Sequence, residues 1–116
     1  MSILAIPLKE DKGLGSLVNE HFSRSPFFII IDDSKATESV VENKGAFKPG
    51  HEATIELLSE NKVDRILCSG MGPGAMDYAK ELGMKVCFGR ASTAGELLQK
   101  FRDGGLEDIV DGSPCK

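Results

Sequence analysis

Positive charge is in short supply in this 116-residue chain: 14 lysines and arginines stand against 18 aspartates and glutamates, a formal net charge of −4. A polynucleotide-binding domain gathers its lysines and arginines into a basic footprint, so nucleic acid is not an expected partner. Long apolar runs are lacking as well. None approaches the ~20 residues of a membrane-spanning helix, and no membrane association is expected. The start, Met1-Ser2-Ile3-Leu4-Ala5-Ile6-Pro7, has neither the charged region nor the long apolar stretch of a signal peptide. Cysteine is scarce and odd in number: Cys68, Cys87 and Cys115, with no Cys-x-x-Cys pair. That argues against a disulfide framework and for a reducing, cytoplasmic setting. Internal repeats and low-complexity tracts are absent. What is left is an ordinary composition, 41% hydrophobic and 28% charged, in a length that makes one domain with a core of its own. That domain is expected over residues 1–110, with 111–116 a fraying tail.

The pattern of elements follows from the apolar runs and the punctuation between them. Ser2 to Leu8 reads as a first strand and Phe27 to Asp32, bulky and β-branched throughout, as a second. Asp33-Ser34-Lys35-Ala36 is turn chemistry, and Thr37 to Glu42 closes a hairpin. A helix from His51 to Asn61 is predicted to bury Ala53, Leu57 and Leu58, with Ile55 less regularly placed. Strand four ends at Cys68, a helix runs from Ala75 to Leu82, and Met84 to Phe88 is strand five. Thr93-Ala94-Gly95-Glu96 is a capping box that opens a last helix, stopped by Gly104-Gly105. Leu106 to Val110 can add a short final strand. Strands joined through a helix run parallel with a right-handed crossover. The chain is therefore predicted to be an α/β three-layer sandwich on a mixed five-stranded sheet, order 3-2-1-4-5, with strand two antiparallel to the rest.

The unusual residues collect at one edge of that sheet. Cys68-Ser69-Gly70-Met71-Gly72-Pro73-Gly74 is a strand-to-helix turn with three glycines in five residues. Such a turn lets backbone approach a ligand and points free helix N–H groups at it. It matches neither the phosphate loop nor the dinucleotide fingerprint, and a tight connection with purely packing glycines is the alternative. His21 and Arg24 precede strand two; Asn43 follows strand three; His51 opens the next helix; Gly89-Arg90 follows strand five. In open α/β sheets the ends of parallel strands are where ligands bind. His21 is a candidate metal ligand through a neutral imidazole nitrogen. Cys68 could offer a soft thiolate if it reaches the edge, but free cysteine usually packs as a small apolar residue. His51 could equally satisfy a backbone carbonyl at its helix start.

Taken together, His21-Phe22-Ser23-Arg24-Ser25-Pro26-Phe27-Phe28, Gly50-His51 and Ser69-Gly70-Met71-Gly72-Pro73-Gly74-Ala75 resemble the dinitrogenase iron–molybdenum-cofactor biosynthesis accessory family, including the NifX and NifB C-terminal-like domains. The resemblance covers nearly the whole chain. Ser23 departs from it, standing where that pattern has glycine. The resemblance implies a ribonuclease-H-like motif and the binding or carriage of a metal–sulfur cofactor. It implies cofactor contacts at His21, Arg24, His51, Gly70, Gly72 and Gly74, with His21 the candidate metal ligand; Cys68 matches no ligand position of that family and stays a weak candidate on its thiolate chemistry alone. Cluster donor and acceptor proteins would be the partners.

Three functions compete on these residues. The first is a non-enzymatic carrier of an anionic cluster, such as an iron–molybdenum-cofactor-like one. The second is an enzyme on a phosphorylated small molecule or nucleotide, which lacks a recognisable base–nucleophile pair. The third is a regulatory interaction module with no ligand. A two-metal nuclease needs carboxylates on its central strands, and Ile3-Leu4-Ala5-Ile6-Pro7-Leu8 supplies none.

Overall fold

Phe27–Asp32 is apolar at nearly every position because both of its faces are covered. In the computed structural model, which describes residues 3–109 and 112–115, this strand (β2) lies between β1 (Ile3–Leu8) and β3 (Thr37–Glu42), antiparallel to both. β1 continues the sheet through parallel β4 (Arg65–Cys68), which pairs in parallel with β5 (Lys85–Phe88). The helices are α1 (Glu52–Glu60), α2 (Pro73–Glu81) and α3 (Ala94–Arg102). None is long and apolar enough to cross a membrane among the described residues.

Strand alternation sorts the core into two layers. Leu4, Ile6 and Leu8 of β1, with Ile29 and Ile31 of β2, pack with Leu97 and Leu98 of α3. Ala5, Phe28 and Ile30 face the other way and pack with Ile55 and Leu58 of α1 and Ala75 and Ala79 of α2. Pro7 is tolerated in a central strand because the β1–β4 pairing is confined to Leu4 and Ala5; beyond it the missing N–H costs no ladder bond.

Three expectations need correction. The sheet has six strands, in the order β3-β2-β1-β4-β5-β6. The sixth, β6 (Glu107–Asp108), pairs antiparallel with β5 and falls inside the Leu106 to Val110 stretch read as able to add a short final strand. The α1 face is turned: Thr54, Ile55 and Leu58 are buried, while Ala53 and Leu57 are only half-buried. A threonine can take a core position when its hydroxyl is satisfied, and Thr54 Oγ1 donates to Ser23 O at 3.1 Å.

The third correction concerns cysteine. Cys87 and Cys115 form a disulfide, with Cα atoms 5.8 Å apart and a sequence separation of 28. Cys115, which falls in the expected fraying tail, is fully buried. Residues 112–115 are tied back to the sheet: Asp108 N–H donates to Ser113 O, and Cys115 N–H to Leu106 O, each at 2.8 Å. Only Cys68 is a free cysteine.

Candidate functional site

The carboxyl ends of β1, β3, β4 and β5 lie at one edge with the amino end of antiparallel β2, as the strand directions require. A groove of about 420 Å3 opens there. His21, Arg24, His51, Gly70, Gly72 and Gly74 all line it, from three separate stretches of chain. The six candidate positions are thus brought together by the sheet.

The His21 side of the groove is a short 3₁₀ turn, Phe22–Arg24. It is anchored by Phe22, which is buried with its ring edge-on to Phe28 at 5.3 Å between centroids. The carbonyl of His21 accepts from Arg24 N–H at 3.0 Å and Ser25 Oγ at 3.1 Å. Its N–H donates to Asn19 Oδ1 at 2.9 Å. The backbone of His21 is pinned, while its exposed imidazole has no hydrogen-bond partner among the described residues.

The opposite side is the glycine turn and the start of α2. Pro73 holds the first helical position and no side chain caps this end. The first intrahelical bond is Met76 N–H to Gly72 O at 3.0 Å, which leaves the N–H groups of Gly74 and Ala75 directed outward. Gly72 has φ −68° and ψ 155°, a conformation open to any residue. A Cβ at Gly70 or Gly72 would meet nothing within 4 Å. Neither backbone strain nor internal packing demands glycine at these two positions; what the missing side chains leave is open space over helix N–H groups.

Gly74 differs. A Cβ there would stand 2.9 Å from His51 Cε1, because the His51 ring lies across the first turn of α2, 6.0 Å from the Tyr78 ring centre. His51 precedes α1 without capping it by a side-chain hydrogen bond; its Nε2 is 3.5 Å from Glu52 Oε1. Tyr78 Oη donates to Glu56 Oε2 at 3.0 Å, joining α2 to α1. That hydrogen bond, then desolvation and the neighbouring glutamates, holds the phenol above its usual pKa. The Gly74→Ala variant is expected to shift the His51 imidazole off Tyr78, seen as changed ring resonances. Its melting temperature should be unchanged or higher, since alanine favours a helix over glycine by up to ~1 kcal/mol.

Electrostatically the groove runs against the rest of the chain. Arg24 and Lys48 line it, both exposed and without an ion-pair partner among the described residues. The acid lining it, Glu20, is matched by Lys9 at 3.3 Å. Two uncommitted cations and two imidazoles in a chain of net charge −4 favour an anionic occupant. Lys48 was not among the expected site residues; its signal is its place two residues before the Gly50-His51 pair.

Not every candidate arrives. Cys68 is fully buried in the core cluster that contains Ile66 and Ala75. Burial pushes its thiol up to about 11, against a backbone hydrogen bond from Gly70. It is therefore a protonated core residue at neutral pH. Arg90 lines a separate, adjoining cavity of about 450 Å3 with Lys9, Ser69 and Ser92. Asn43 is turned inward and buried. Among the described residues no three His, Cys, Asp or Glu side chains converge as a metal cage.

Comparison with known proteins adds the following. The family model described as dinitrogenase iron-molybdenum cofactor matches residues 2–104. A NifB-like protein from Thermotoga, solved by NMR, is 32% identical over 94% of both chains, with a TM-score of 0.81. The apo form of the orange protein from Desulfovibrio gigas is 24% identical, covering 100% of this chain and 98% of that one at a TM-score of 0.85. A dinitrogenase-like protein from Methanocaldococcus jannaschii is 18% identical over 93% and 94% of the chains at 0.68. The last two share the fold. No curated protein matches.

Proposed function

The chain belongs to the dinitrogenase iron-molybdenum cofactor family, and on that premise we propose that it is a non-enzymatic binder or carrier of an anionic metal–sulfur cofactor seated in the groove. The observation that carries this reading is the pairing of two uncommitted cations, Arg24 and Lys48, with open backbone N–H groups at Gly74 and Ala75. Charge-assisted hydrogen bonds to an anion are about twice as strong as neutral ones. The imidazole of His21, without a hydrogen-bond partner among the described residues, is the ligand. His51, packed on Gly74 and Tyr78, forms the wall. One or two imidazoles and a helix end make a set of contacts that a cargo can leave again. That suits hand-over between a donor and an acceptor protein.

The test is an anaerobic titration followed by absorbance, with tetrathiomolybdate as the probe and phosphate as the competitor. Wild type should bind the thioanion saturably and lose affinity as salt is raised. Arg24→Ala and Lys48→Ala should each weaken binding and flatten that salt dependence. His21→Ala should lower affinity about ten- to a hundredfold with little change in melting temperature, because the exposed ring packs against little. Binding unaltered in all three variants overturns the reading. Phosphate or nucleotide stabilising the protein while thiomolybdate does nothing would favour the small-molecule enzyme.

A further inference from the structure

The turn that carries His21 and Arg24 is gripped from outside. Thr54 Oγ1 donates to Ser23 O at 3.1 Å, and Asn43 Nδ2 donates to Ser25 O at 2.8 Å. The same Asn43 amide reaches Thr54 Oγ1 at 3.1 Å, while its oxygen accepts from Gly45 N–H at 3.1 Å. Asn43 is 1% exposed and Thr54 and Ser25 0%. No buried side-chain polar atom lacks a partner among the described residues.

Each end of this network leads to a wall of the groove. Asn43 follows β3 and caps the 3₁₀ turn Lys44–Phe47, after which comes Lys48. Thr54 sits in the first turn of α1, three residues after His51. Ser23 and Ser25 carry the carbonyls of the His21–Arg24 turn. Three segments far apart in sequence are held in one arrangement by two side chains, neither of which lines the groove.

We infer that Asn43 and Thr54 are the positioning residues of this groove: they fix the His21–Arg24 turn against the Lys48 and His51 walls, and so set the affinity for the anionic cargo without touching it. The inference rests on the anion-binding reading above. A site with few ligands depends on those ligands being held in place beforehand. A buried polar network resists intermediate states, because a half-satisfied member is costlier than either extreme. Because Thr54 and Asn43 grip carbonyls, the turn is held whatever side chain stands at position 23.

Thr54→Val removes the hydroxyl at nearly constant shape; Thr54→Ser keeps the hydroxyl and removes the methyl. Both are titrated anaerobically with tetrathiomolybdate, beside thermal melts and amide NMR spectra of the cargo-free proteins. Thr54→Val should bind about tenfold or more weakly, with shifted or broadened amides at 21–25. Thr54→Ser should bind within about twofold of wild type and keep those amides in place, although it too loses packing. Affinity that merely tracks melting temperature across the two variants, or Thr54→Val binding as wild type, overturns the inference. If Thr54→Val does not fold, Asn43→Asp takes its place; it keeps the acceptor for Gly45 and loses both donors. Should wild type take up no thiomolybdate, the carrier reading fails. The amide spectra then decide the positioning role: an undisturbed 21–25 turn in Thr54→Val overturns it.

Discussion

Gly72→Val is expected to weaken cargo binding roughly a hundredfold in a protein that still folds. The usual reason a glycine resists substitution does not apply: its φ is −68° and a Cβ meets nothing within 4 Å. It also precedes Pro73, which favours the extended backbone that valine prefers. Fewer unfolded conformations, worth about 0.4–1 kcal/mol, are set against the poorer N-cap that valine makes for α2, so the melting temperature should change little. The isopropyl group, however, would stand in the open space over the start of α2 and keep an anion from Gly74 and Ala75. Loss of two charge-assisted hydrogen bonds, at about 1.5 kcal/mol each, corresponds to roughly a hundredfold in affinity. The measurement is the thiomolybdate titration beside a thermal melt. Binding at wild-type strength would mean the glycine turn is a connection and nothing more. A melting temperature far below wild type would mean the valine acts on the fold.

Breaking the Cys87–Cys115 bond should have the largest effect on stability. It closes a loop between positions 28 residues apart, for which the chain-entropy model gives about 3–4 kcal/mol. In a domain of this size that lowers the melting temperature by on the order of 10–20 °C. The comparison is wild type with and without a dithiol reductant, and Cys115→Ala. Under denaturant without reductant, thiol titration should find Cys68 alone; with reductant, Cys87 and Cys115 join it. Cargo affinity should not change. Both sulfurs belong to the core layer under α3, whereas Phe22 and Ala75, which line the groove, belong to the other. Three free thiols in the unreduced, denatured chain would refute the bond.

Much of the site was legible in the residues because it depends on strand direction. Once β2 and β3 form a hairpin and β4 and β5 are joined through α2, the ends that carry His21, His51 and Gly70–Gly74 must share an edge. Side-chain direction was less legible. Cys68 ends the strand that leads into the glycine turn, yet the pleat aims its sulfur into the core. Arg90 follows β5 at the same edge, yet lines the neighbouring cavity, one strand further along.

The order of apolar runs and glycine punctuation was enough to determine a mixed α/β sheet with β1 at its centre, because hydrophobic period and crossover handedness are local constraints. The tertiary structure alone decided which face of α1 is buried, because Thr54 can enter the core only once Ser23 and Asn43 stand beside it. It alone decided that Cys87 meets Cys115, because that contact follows from the return of residues 112–115 along β6. And it alone brought Lys48 into the same groove as Arg24: the charge of a site is summed through space, and 24 and 48 line one groove only after β2 and β3 have turned the chain back on itself.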